Sequence, residues 1–361
     1  MPKYNEIKNF FVRAIVVSLS VVFIAGIVPT TKAFAEPGSV FLWGGYDDDG
    51  LFGSYAEEHG SPAYTTFGDA EEGLQKLRAG AEFDLAWPCQ GEIKRWVRAG
   101  VLEPLDPSRI ENWNDMFPEV RDLPSGMVDG KNYFAPVDWG DTTLFYMPDR
   151  VTWMNDDNES FNLMEDPRVK GKVGILDSAA DSLFLMMHHL GIDIREQDQL
   201  TKAAIDQGIN KFREMRDNGQ IRAFFGDTSS MVEALGNEEI DVALGWNEIA
   251  WNAGAKMMQP SNGTMTWACG LAIVKGADLD KAYAMINGAT SAETSAYLLS
   301  EWGYGHSNKA GFSTLTADEL AERGVAANPA DHLSNGMFSV MPTDEVTDYM
   351  EAQWAEMVAG G

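Results

Sequence analysis

The feature that constrains this chain most is a repeated alternation of short apolar runs with amphipathic stretches of helical period. Ser39–Gly44 (SVFLWG) reads as a buried strand, followed by a helix through about His59. Ala63–Phe67 reads as a second strand and Phe83–Trp87 (FDLAW) as a third. Between and after them, Asp69–Arg78 and Glu92–Ala99 carry the helical period. Strand–helix alternation at this spacing builds βαβ units, hence parallel sheets with helices on both faces.

The pattern restarts after about residue 140. Lys172–Leu176 is a predicted strand, Asp181–Leu190 a helix, and Asp198–Asn218 a long helix with a charged face. Ile240–Gly245 is a strand running into a helix at Trp246, and strand Met265–Val274, helix Leu279–Asn287 and helix Asp344–Val358 follow. No repeat or low-complexity linker separates the halves, so Gly130–Tyr146 reads as chain passing between lobes that stay in contact. The expected division is 36–140 plus 268–310 in one lobe and 141–267 plus 311–361 in the other. Ligands of open α/β sheets bind beyond the carboxyl ends of the strands, here after Leu42, Trp87, Leu176 and Gly245.

The first 35 residues predict export. Lys3, Lys8 and Arg13 precede the apolar stretch 14–28, and Ala33-Phe34-Ala35 is an A-x-A site with cleavage expected before Glu36. The stretch is shorter than the ~20 residues of a membrane span. Cleavage leaves 326 of the 361 residues, comfortable for two lobes. The chain carries −28, and removing a leader with four basic residues and one acid leaves about −31. Such a surface repels nucleic acid and anionic lipid and first of all favours solubility.

Catalytic and metal motifs are missing. His188 and His189 are adjacent, so on a helix they point about 100° apart and cannot share a metal. Gly44-Gly45 lacks the order of a phosphate loop, and Asp47-Asp48-Asp49 would repel phosphate; the triplet reads as a helix cap. The two cysteines, Cys89 and Cys269, have no C-x-x-C or H-x-x-x-H companion for zinc, and in an exported protein they are a candidate pair. The expectation is a protein without catalysis, cofactor or metal; a secreted enzyme on a similar scaffold is the alternative from another class.

Several segments, taken in order, resemble the polyamine-binding (spermidine/putrescine) family of periplasmic solute-binding proteins. They are FDLAWPCQGEIKRWVRAGVLEPLDPSRIENW (83–113), YFAPVDWG (133–140), DVALGWN (241–247), GLAIVKGADLDKAYAMIN (270–287) and WGYGHSNKA (302–310). The resemblance implies a type II periplasmic-binding fold of two doubly wound lobes. It also implies a monomer working with the membrane permease of an ABC importer, and a cleft that closes on a small cation. Carried over residue by residue, it implies ligand-lining roles for Trp43, Tyr46, Trp246, Trp267 and Tyr304, with Trp87 an addition on the same side.

The acids carry over less well. The family's aspartate two positions after Trp267 is Cys269, and its serine after Pro88 is Cys89, so both cysteines replace site-lining residues on one lobe. That implies a Cys89–Cys269 disulfide in an oxidising compartment. Asp181 is the one acid carried over. A site that keeps aromatics and loses acids suits an onium ligand, because a quaternary ammonium or sulfonium has no N–H to satisfy and is held by π-faces. The expected ligand is therefore glycine betaine, dimethylsulfoniopropionate or a similar compound. The alternative is a polyamine held by acids from unaligned positions such as Asp141, Asp177 or Glu248.

Overall fold

The computed structural model describes residues 36–326 and 328–360. The predicted leader and its cleavage site lie outside the described residues. Eight strands set the architecture: β1 (Ser39–Trp43), β2 (Ala63–Phe67), β3 (Leu85–Ala86), β4 (Ala135–Tyr146), β5 (Val173–Leu176), β6 (Ile221–Phe225), β7 (Val242–Trp246) and β8 (Met265–Val274). Their order is β2-β1-β3-β8-β4-β7-β5-β6. β1 pairs parallel with β2 and β3, and β5 pairs parallel with β6 and β7. The two parallel sets are joined by the long strands β4 and β8, antiparallel to each other and to their flanking neighbours. This is the expected pair of α/β halves joined by crossing strands.

Burial follows the period of two that a strand imposes. From β1, Val40 and Leu42 enter one core with Trp87 and Leu271, whereas Phe41 enters another with Phe67, Leu74 and Trp96. In the second half, Leu144, Val173 and Ile175 face one core, and Phe145, Leu176 and Ala243 face the opposite one. The helix Lys202–Asp217 buries Ala204, Ile205, Gly208, Ile209, Phe212 and Met215, a stripe of helical period. The C-terminal helix Asp344–Val358 lies on the same core through Met350, Trp354 and Met357.

Local chemistry moved several boundaries. Lys202–Asp217 starts four residues later than the charged pattern from Asp198 suggested. Thr201 caps it by accepting from the Ala204 N–H at 3.2 Å, and Gln197–Gln199 forms its own short turn. The helix expected before His59 is broken into Asp49–Phe52 and Tyr55–His59 at Gly53, whose φ of 54° ends a right-handed turn. Asp48 caps the first piece, accepting from the Gly50 N–H at 2.8 Å, as the aspartate triplet implied. The third strand contracts to Leu85–Ala86, and the strand expected to stop at Gly245 continues to Trp246, with the next helix, Glu248–Ala253, following. Among the described residues no helix is long and apolar enough to cross a membrane.

Candidate functional site

The site grows from the crossing strands. All twelve residues of β4 are buried, yet two of them, Asp138 and Asp141, are acids. Residues directly opposite in an antiparallel ladder present side chains on the same face. The ladder places Asp138 opposite Cys269, Gly140 opposite Trp267 and Thr142 opposite Met265, and β7 adds Trp246 opposite Thr142. These residues share one face. Gly140 is required there, because a Cβ would stand 2.4 Å from the Trp267 ring and 2.3 Å from Asn247 Oδ1.

Aromatic rings run in sequence beside this face. Trp87 meets Tyr46 with centroids 5.5 Å apart, Tyr46 meets Trp302 at 5.0 Å, and Tyr304 meets Trp267 at 5.0 Å. Trp302 and Tyr304 close the gap at 6.3 Å. The contacts are edge-on or tilted, so the positive edge of one ring meets the negative face of the next.

Three carboxylates accompany these rings, and each is held by neutral donors. Asp138 accepts from the Tyr46 hydroxyl at 2.8 Å and from the Trp87 indole N–H at 2.9 Å. Asp181 accepts from the Thr142 hydroxyl at 2.9 Å, the Ser178 hydroxyl at 2.7 Å and the Trp246 indole. Glu248 accepts from the Tyr304 hydroxyl and from Thr228. Burial pushes Asp138 up to about 6, with the Tyr46 and Trp87 hydrogen bonds opposing it. Burial likewise raises Asp181 and Glu248 against their donors. Tyr46 and Tyr304 are held well above the ordinary tyrosine range, first by burial and then by the acids beside them. Among the described residues, no lysine, arginine or histidine forms an ion pair with any of the three acids.

The expected set is thus only partly gathered. Tyr46, Trp87, Trp267 and Tyr304 join one aromatic chain, and Trp246 packs against the same core while its indole donates to Asp181. Trp43 packs on Phe67 at 4.6 Å and also borders the core that holds Trp87, Trp267 and Tyr304. Cys89 and Cys269 form a disulfide, so Cys89 is a brace and not a polar ligand donor. The expectation that the acids are depleted is corrected. One acid missing from β8 did not empty the face, because β4 and the helix after β7 supply others. Glu248 is one of the alternative acids named from the sequence. Asp141 is not on this face: it points to the other side of β4, accepting from Thr266 at 2.8 Å and pairing with His332 at 2.9 Å. Asp177 accepts from the indole of Trp354 at 2.7 Å. Asp138 and Trp302 escaped the sequence reading, although an acid inside the apolar run Ala135–Tyr146 was a visible sign.

The comparisons with known proteins agree with this architecture. A family described as bacterial extracellular solute-binding protein matches residues 61–321. The putrescine-binding periplasmic protein PotF of Escherichia coli (strain K12) is 25% identical over 358 residues, covering 92% of this chain and 94% of its own. A putrescine/agmatine-binding protein of Pseudomonas aeruginosa is 25% identical over 341 residues, covering 88% and 89%. Among solved structures, the spermidine/putrescine ABC transporter substrate-binding protein PotD of Streptococcus pneumoniae superposes with a TM-score of 0.70. It is 20% identical and covers 90% of this chain and 98% of its own, a likeness of fold.

Proposed function

The chain belongs to the bacterial extracellular solute-binding proteins, the periplasmic solute-binding components of ABC importers that work with a membrane permease, and from that membership we propose that it binds a small amine carrying two or more positive charges. The observation that carries this reading is the set Asp138, Asp181 and Glu248: carboxylates beside aromatic rings, with no cation from the described residues paired to them. Burying a carboxylate is costly unless a cation or several donors compensate it. An ammonium group brings three N–H donors that must themselves be satisfied in a desolvated cleft, so the two needs are complementary. A quaternary ammonium has no such donors and would leave the acids uncompensated.

The positions also suggest more than one charge. Asp138 and the Thr142 that holds Asp181 are four residues apart on β4, about 13 Å along a strand. One ammonium at each end, with methylenes against the rings between, describes a linear di- or polyamine, and relatives named for putrescine support the same reading. The onium reading keeps one supporting feature. The Trp267 and Trp43 indole N–H groups are buried without an acceptor among the described residues, and a ligand carboxylate would supply one.

Function follows from geometry without chemistry on the ligand. We take the lobes as 36–140 with 268–310 and 141–267 with 311–361, which puts the hinge in β4 and β8. Closure then buries the ligand between the acids of the two lobes, and the permease reads the closed shape. A thermal-shift panel of putrescine, spermidine, agmatine, glycine betaine, choline and dimethylsulfoniopropionate tests the proposal. A ligand at about a hundred times its Kd adds about 2.7 kcal/mol to the folded state. The amines should raise Tm by several degrees; a shift with betaine or the sulfonium alone would favour the onium reading.

A further inference from the structure

The three acids are not equivalent. Asp181 lies three residues after Ser178, which caps the turn Ala179–Leu183, and Glu248 opens the helix Glu248–Ala253. A carboxylate in the first turn of a helix is favoured by the free N–H groups and dipole there, so both have a local structural reason to be acidic. Asp138 has none. It sits in the interior of β4, is 1% exposed, and has a phenol, an indole and its own backbone N–H as donors. Such a residue weakens the empty protein unless something else needs its charge.

Its surroundings are built to hold that charge in place. Cys269 stands directly opposite Asp138 in the ladder, and the disulfide ties Cys269 to Cys89, two residues beyond Trp87. The segment that carries the indole donor is therefore bonded covalently to the strand facing Asp138. Tyr46, the other donor, is wedged between Trp87 and Trp302. Each Asp138 oxygen accepts one bond from these donors, which leaves lone pairs on both for a further donor.

We propose that Asp138 is the specificity-determining carboxylate of the site, seating one primary ammonium of the ligand, with the Cys89–Cys269 disulfide, Trp87 and Tyr46 as its positioning frame. The inference rests on the amine reading above and extends it to one atom group. A cation seated there favours the ionised carboxylate, whereas in the empty protein burial holds Asp138 up to about 6. Below that pH, binding must therefore expel a proton.

The test is calorimetric titration of putrescine into the wild-type protein and Asp138→Asn, at pH 7.5 and at pH 5.5 in two buffers of different ionisation enthalpy. Losing one partner of a buried charged pair corresponds to about thirtyfold or more in Kd. We expect that loss for Asp138→Asn at pH 7.5, and proton release by the wild type at pH 5.5 that the variant lacks. Should the variant not fold, proton release that survives in both Asp181→Asn and Glu248→Gln assigns the proton to Asp138, and release lost in either one overturns the proposal. Wild-type binding without proton release, or with Asp138→Asn within threefold of it, overturns the role of Asp138 and leaves the amine reading standing. If the wild type binds neither putrescine nor, in a parallel titration, spermidine or agmatine at either pH, the amine reading fails and this inference falls with it.

Discussion

Two groups of carboxylates in this molecule solve the same problem in opposite ways. Around Arg95, on the helix Ile93–Arg98, Glu71 approaches at 2.7 Å and Asp348 of the C-terminal helix at 3.1 Å. Asp344 of that helix pairs with Arg98 at 2.7 Å. These acids from two different cores share cations that the protein itself provides. Along the aromatic face, Asp138, Asp181 and Glu248 have hydroxyl and indole donors and, among the described residues, no protein cation paired to them. The first arrangement is complete as folded and works as a clasp between elements. The second has neutral partners, and under the proposed amine reading the ligand brings the positive charge.

The largest expected effect breaks the clasp. Arg95→Met should lose about 2–3 kcal/mol of stability at pH 7, because a mostly buried cation goes and its acids are left facing one another. Urea unfolding would measure this; a loss below ~0.5 kcal/mol would show that the exposed acids simply hydrate. The matching removal on the aromatic face should act on affinity and not on folding. Trp267→Ala should weaken amine binding by about 1–3 kcal/mol, five- to hundredfold, and Trp267→Phe by less because a π-face remains. Unchanged affinity in a folded Trp267→Ala protein would remove that ring from the site.

A smaller effect sharpens the comparison through pH. Glu92 is 7% exposed, and its Oε2 has no hydrogen-bond partner among the described residues. Burial pushes it up to about 7, Arg95 opposes this, and Glu351, Glu71 and Asp344 add to it. Its folded value lies above its unfolded one, so its contribution to stability is fully present below about pH 4.5 and is lost as pH rises through 7. Glu92→Gln should therefore stabilise the protein by about 1–2 kcal/mol at pH 8 and leave it nearly unchanged at pH 4.5. Thermal unfolding at the two pH values checks this, and equal effects at both would assign the change to packing.

Much of the fold was legible because period reports burial directly. The apolar run Ser39–Gly44 and the stripe Ala204–Met215 can hardly be placed except as a core strand and a core helix face. Boundaries set by a single cap or a glycine, such as Thr201 and Gly53, are weaker signals. The aromatic part of the candidate site came from the family resemblance, which places Tyr46, Trp246 and Tyr304 residue by residue. The acidic part was not legible. Cys269 and Asp138 are 131 positions apart in sequence, and only the ladder register shows that they face each other. An acid absent from one strand and present on the next looks, in sequence, like an acid lost.

The central claim is that the aromatic face awaits an amine cation. Its most direct test is a calorimetric titration of the ligand-free protein with putrescine and, separately, with glycine betaine at pH 7.5. The account predicts saturable one-to-one binding of putrescine, at least tenfold tighter than any binding of betaine. Saturable betaine binding with no heat from putrescine, spermidine or agmatine would contradict it.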